Sequence, residues 1–276
     1  MKRLLLTILT IFLVASPAAV GAQPINIPVN QLPKYSETPF GNVQAPVSFI
    51  YVGEEQQIRG FYLSRGWYEA DRISATSLLR AYRAAINNLP YPTAPFSPSF
   101  INGESQELAF QLPTPANTIR QRHHTRIWDT NVRASDGRRI WVGTASFDRD
   151  IAYVGRSQIP THTIDPNIDA ERDFILRTLG IPNAQYIQLV RPQSGQNFSG
   201  DQFYTDGRAA VIVFNRVGSP PAYRNYPNSA YRQRQVVQPP RYRPTPYPHS
   251  YNITGNPLGA LNYWIESTAT SQGLPY

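Results

Sequence analysis

Residues 122–150, RHHTRIWDTNVRASDGRRIWVGTASFDRD, constrain the fold more than any other stretch. Two runs of alternating polar and apolar residues flank Asp136-Gly137, and alternation on both sides of an Asp-Gly turn is the pattern of a β-hairpin. An isolated hairpin is barely stable in water, so this one must sit inside a larger sheet. With Asp136 and Gly137 as the turn, His124, Arg126 and Trp128 share a face with Ala145, Phe147 and Arg149. His123, Thr125 and Ile127 then share the other face with Ser146, Asp148 and Asp150, and His123 lies across from Asp150.

The flanking segments supply the rest of an α+β domain. PVSFIYVG (46–53) and residues 107–112 read as strands, and AQYIQLV (184–190) and GRAAVIVF (207–214) as two more. Residues 54–66 suit a helix ending at Gly66. Ser74 is positioned to cap a second helix, in which Leu78, Leu79, Tyr82, Ala85, Ile86 and Leu89 form an apolar stripe until Pro90 ends it. Residues 89–98, LPYPTAPFSP, hold four prolines and must be a loop. THTIDPNIDAERDFILRTLG (161–180) reads as a strand end entering a third helix, with Asp165 as N-cap, Pro166 in the first turn and Gly180 as the stop. The expected fold is one mixed or antiparallel sheet with a few packed helices.

Both ends carry a different signal. Met1-Lys2-Arg3, the apolar run 4–15 and the small residues before Gln23 form a secretory signal peptide over 1–22, cleaved after Ala22. That apolar run is shorter than the ~20 residues of a spanning helix, so no transmembrane span is expected after cleavage. Residues 23–44 read as an extended arm, 45–217 as the folded domain and 218–276 as a tail rich in Pro, Tyr and Arg. The stretch 219–252 contains no acid and many prolines, so most of the tail is expected to be disordered. The chain has no cysteine, so an exported product must rely on its core rather than on disulfides.

Lys2 and Lys34 are the only lysines among 26 basic residues, and the formal net charge is +8. Arginine recognises carboxylates and phosphates with a planar fork. The partners expected for an exported chain of this charge are an envelope glycan, a lipid headgroup or an acidic protein, and not nucleic acid. The periplasm or the extracellular space is the expected location.

Three chemistries can be drawn from the polar residues. His123 or His124 with His162 and an acid (Asp148, Asp165 or Asp169) offers metal-ligating residue types, but the spacing matches no ligand motif and no metal or cofactor is expected. His123, His124, Asp148, His162 and Glu171 are the candidates for general acid–base work, although no GxSxG or Cys supplies a nucleophile. Arg122, Arg126, Arg149 and Arg172, with Trp128, are the candidate anion-binding set. Beside these stands a structural reading in which Arg172 pairs with Asp148 or Asp129 and merely ties helix to sheet.

RHHTRIWD, DGRRIWVGTASFDRD and THTIDPNIDAERDF, with GWYEAD and NGESQELAFQ upstream, resemble the LssY C-terminal domain family over residues 45–217. The family-like positions are His123, His124, Arg126, Trp128, Gly143, Asp148, His162, Asp165, Pro166, Asp169, Glu171 and Arg172. Where the family tends to place a second histidine after His162, this chain has Thr163. The resemblance implies a domain type often joined to membrane phosphatase-like segments, here expected as a free-standing exported version. The leading expectation is an envelope-associated binding or accessory module that recognises an anionic ligand through a His/Arg-rich hairpin cleft. The alternative is a hydrolase using His and Asp, with or without a metal.

Overall fold

The computed structural model describes residues 25–154 and 159–215; the signal peptide expected over 1–22 and the tail expected from 218 lie outside them. The elements in chain order are β1 (Tyr35–Glu37), β2 (Val43–Val52), α1 (Glu55–Leu63), β3 (Tyr68–Glu69), α2 (Ala75–Ile86), β4 (Phe100–Ile101), β5 (Glu104–Ser105), β6 (Leu108–Pro113), β7 (Arg122–Arg133), β8 (Arg139–Val154), β9 (Ile159–Ile164), α3 (Ile168–Thr178), β10 (Gln185–Gln188), β11 (Gln193–Gln196), β12 (Gln202–Thr205) and β13 (Arg208–Val213). Eleven of the strands form one curled sheet, and β11 and β12 form a separate hairpin. The sheet is antiparallel except where β13 runs parallel to β2. Among the described residues no helix is long and apolar enough to cross a membrane.

β2 is apolar on both faces because both are covered. Phe49 and Tyr51 face a core built with Ile58 and Tyr62 of α1, Ile127, Trp141 and Phe174, Ile175 and Leu176 of α3. Val47, Ile50 and Val52 face a second core with Trp128, Ile140, Val142 and Leu32. Ile25, Ile27 and Val29 pack against that second core, so the segment before β1 lies on the sheet.

Local chemistry places the helices. Ser74 Oγ accepts from Ser77 N–H (3.1 Å) at the start of α2, as its sequence predicts. α3 starts later than the sequence suggests. Asn167 Oδ1, not Asp165, accepts the capping bond from Ala170 N–H (2.9 Å), while Asp165 Oδ1 accepts from Asn167 N–H. Pro166 stays outside the helix because its carbonyl receives Tyr204 N–H from β12 (2.8 Å).

The apolar stripe expected on α2 is split between the two sides of the helix. Leu78 and Ala84 are buried, but Leu79, Ile86 and Leu89 are 42%, 58% and 50% exposed. The inward face is mostly alanine: Ala84, with Ala81 and Ala85 alongside, packs on Tyr91, Ala94 and Ile119. Helical spacing is satisfied by either face, and the proline-rich loop needs small residues to approach closely.

Candidate functional site

The register of the β7–β8 hairpin decides which side chains meet. His124 stands opposite Ser146 rather than Arg149, and His123 opposite Phe147 rather than Asp150. The register shifts between Asp129 and Arg133, where Asn131 adopts a left-handed conformation (φ 58°). Thr130 Oγ1 closes that bulge by donating to Ile140 O (2.6 Å). The offset from a two-residue turn is odd, so the residues expected opposite each strand exchange faces. Arg122, His124, Arg126 and Trp128 now share a face with Asp148, Ser146, Thr144 and Val142. His123, Thr125 and Ile127 turn to the helix side.

On the first face a single carboxylate gathers the cations. Asp148, 2% exposed, accepts from Arg122 Nε at 2.8 Å. Its Oδ2 also lies 3.4 Å from His124 Nδ1 and 3.8 Å from His162 Nδ1. Arg122 continues to Gln111 Oε1 (3.0 Å), while Gln111 Nε2 donates to Ala94 O (2.8 Å). Phe96, from the proline-rich loop, lies over this group: its centroid is 4.2 Å from the Arg122 guanidinium carbon, 5.2 Å from that of Arg126 and 4.8 Å from the His124 ring.

Donor and acceptor chemistry assigns the His124 tautomer. A guanidinium only donates, so His124 Nε2, 3.2 Å from Arg126 Nη1, must accept. The ring proton therefore sits on Nδ1, toward Asp148, and the imidazole is neutral. Burial pushes the His124 pKa down to about 4, with the Asp148 charge opposing and Arg126 and Arg122 assisting. His162 donates from Nε2 to Ile119 O (3.1 Å), and burial lowers its pKa too. Burial works to raise the Asp148 pKa, but His124, His162 and Arg122 hold it well below the usual carboxylate range.

The cluster keeps an excess of positive charge. Arg122 and Arg126 face one acid, Asp148. Burial, with Arg122 assisting, pushes the Arg126 pKa down to about 10 against the pull of Asp148. Arg126 Nε is buried with no hydrogen-bond partner among the described residues. Trp128 Nε1, two residues along the same face, is likewise without one. Next to the cluster is a cavity of about 10 Å³, the size of one water, lined by Tyr91, Gln111, Ile119 and Arg122 among others.

The second face carries a separate pair. His123 Nδ1 lies 2.9 and 3.0 Å from the two Glu171 oxygens, and its ring stacks on Phe174 at 3.8 Å. Both residues are buried. Burial raises the Glu171 pKa, opposed by His123. This pair joins β7 to α3.

The remaining sequence candidates lie elsewhere. Arg172 meets Asp173 (2.9 Å), Asp206 (2.9 Å) and Asp169 (3.2 Å), not Asp148 or Asp129, and locks α3 to the turn before β13. Asp129 is held by Arg139 instead. Arg149 sits where the β8–β9 register shifts, and its charge acts on Asp201. Among the described residues no group of three or more His, Asp or Glu is placed to hold a metal ion. His123 and His124 point to opposite faces of β7 and cannot share one. Gln111, Phe96 and Ile119 were not legible as site residues. Only the proline density of the loop hinted that something there needed a fixed cover.

The family model described as LssY C-terminus matches residues 29–209. No curated protein and no solved structure matches the chain.

Proposed function

The chain belongs to the LssY C-terminus family, and for it we propose an exported, envelope-associated binding or accessory module whose arginine–histidine cluster receives an anionic group. The observation that carries this reading is the unbalanced charge of that cluster: its one carboxylate, Asp148, is paired with Arg122, and Arg126 Nε lacks an acceptor among the described residues. A phosphate or carboxylate oxygen is the acceptor that a guanidinium fork fits best. An envelope glycan, a lipid headgroup or an acidic protein would each supply one. Arg122 and Arg126 are the recognising pair, His124 fixes the Arg126 fork, and Phe96 covers the group. The N-terminal signal peptide would deliver the module to the periplasm or beyond.

The tautomer favours binding over hydrolysis. A general base needs an available lone pair, and on neutral His124 that lone pair already accepts from Arg126. Inorganic phosphate and glucuronate are the probes. At a hundred times its Kd a ligand should stabilise the protein by about 2.7 kcal/mol, and Arg126→Ala should abolish the thermal shift without unfolding the domain. An unchanged shift in the folded Arg126→Ala variant overturns the cluster as the binding site.

A further inference from the structure

We propose that α2 docks the protein on an anionic membrane surface through its outward face. This inference rests on a different part of the molecule from the arginine–histidine cluster and does not depend on it. Leu79 and Ile86 fall on one side of the helix, Leu89 follows just past its C-terminus, and each exposes about half of its surface. Arg83 flanks that stripe on one edge, and Arg80 lies farther round with its guanidinium 4.0 Å from the Tyr91 ring centroid. Arg72, just before the Ser74 cap, is exposed as well. From Arg72 to Gly103 the chain contains no Asp or Glu. An exposed aliphatic stripe bordered by arginines and free of acids is the pattern of an interfacial helix.

Charge selects the occupant. Two copies packed through this face would oppose arginine to arginine. The chain's own segment 219–252 carries five arginines and no acid, so it too is repelled. An anionic bilayer offers negative headgroups to the arginines and acyl chains to Leu79, Ile86 and Leu89, without needing a complementary groove. The inward alanine face of α2 packs on Tyr91, Ala94 and Ile119, so a docked helix places the proline-rich loop close to the lipid.

The absence of cysteine allows a local test in the full chain. An environment-sensitive fluorophore is attached to Ile86→Cys and, as a control on β11, to Ser194→Cys. Both positions are exposed, so the fold should survive, which an unchanged melting temperature verifies. With phosphatidylglycerol-containing vesicles the Ile86 probe should shift to the blue and be quenched by lipid-borne quenchers. It should do neither with pure phosphatidylcholine, and the Ser194 probe should respond to neither vesicle. Arg72→Gln and Arg83→Gln should each lower lipid insertion of the probe about five-fold, and added salt should do the same. Vesicle binding with the Ile86 probe still in water overturns the proposal, because the arginine-rich tail then does the binding. So does a concentration-dependent blue shift without vesicles, which identifies a second copy as the partner, and so does an absence of binding.

Discussion

Acidification tests the assignment of His124 as a neutral, buried imidazole. An unfolded histidine titrates near 6.5, and the native one near 4. Between those values the native state binds fewer protons than the unfolded state, so stability is lost as pH falls through that window and the loss levels off below pH 4. Going from pH 7 to 4.5, the linkage costs about 2.5 kcal/mol, a large part of a small domain's stability. The groups facing His124 are Arg122 and Arg126 on its own strand, Ser146 and Asp148 on β8, Gln111 on β6, His162 on β9 and Phe96 from the loop. His162, also lowered, has the same sign. Glu171, raised, has the opposite sign: the native carboxyl takes up a proton first as pH falls. Asp148, depressed, contributes mainly below the ordinary carboxylate range. The His162 and Glu171 terms are shared with His124→Asn, whose amide can donate toward Asp148 and accept from Arg126 without titrating. Urea denaturation of both proteins at pH 7 and 4.5 isolates the His124 term. The wild type should lose about 2.5 kcal/mol more than the variant. Equal losses, or an NMR titration placing His124 at 6 or above, would refute the buried neutral tautomer.

Asp148→Asn should destabilise by about 3–5 kcal/mol, because it leaves the Arg122 and Arg126 charges buried without a counter-ion; denaturant unfolding at pH 7 reads this directly, and a loss under 1 kcal/mol would show that water already solvates the pair. Gly143→Ala places a Cβ 3.1 Å from Tyr51 Cε2 and 3.3 Å from Arg126 O. Tyr51 is fully buried and bonded to Tyr62 (2.6 Å), so it cannot retreat, and thermal unfolding should report a cost of about 1–3 kcal/mol. N-terminal sequencing of protein recovered outside the cytoplasm should begin at Gln23, and recovery only of an uncleaved membrane form would rule out the export step.

Sequence alone determined the elements that rest on local rules. The alternation around Asp136-Gly137 yields β7 and β8, Ser74 caps α2, and the runs 46–53 and 207–214 become adjacent buried strands. It also brought His123, His124, Asp148, His162 and Glu171 forward as one polar set, but not as two groups. That division came from the turn and the bulge together: Arg133 pairs with Arg139, one residue off a two-residue Asp136-Gly137 turn, and the bulge at Thr130 and Asn131 adds two more, so the total offset is odd and turns His123 toward Glu171 and His124 toward Asp148. Pairing is a contact between distant residues, and a period of two cannot say which way a strand slips. Arg172 was legible as a charge needing partners, yet Asp206 lies on a turn far along the chain that no local spacing connects to α3. The α2 stripe shows the same limit: periodicity found the apolar residues, and only the packing of Ala81, Ala84 and Ala85 on the loop decided that Leu78 is buried while Leu79 and Ile86 look outward. Local propensity acts over a few residues and is written in the chain, whereas burial and register depend on what arrives from elsewhere.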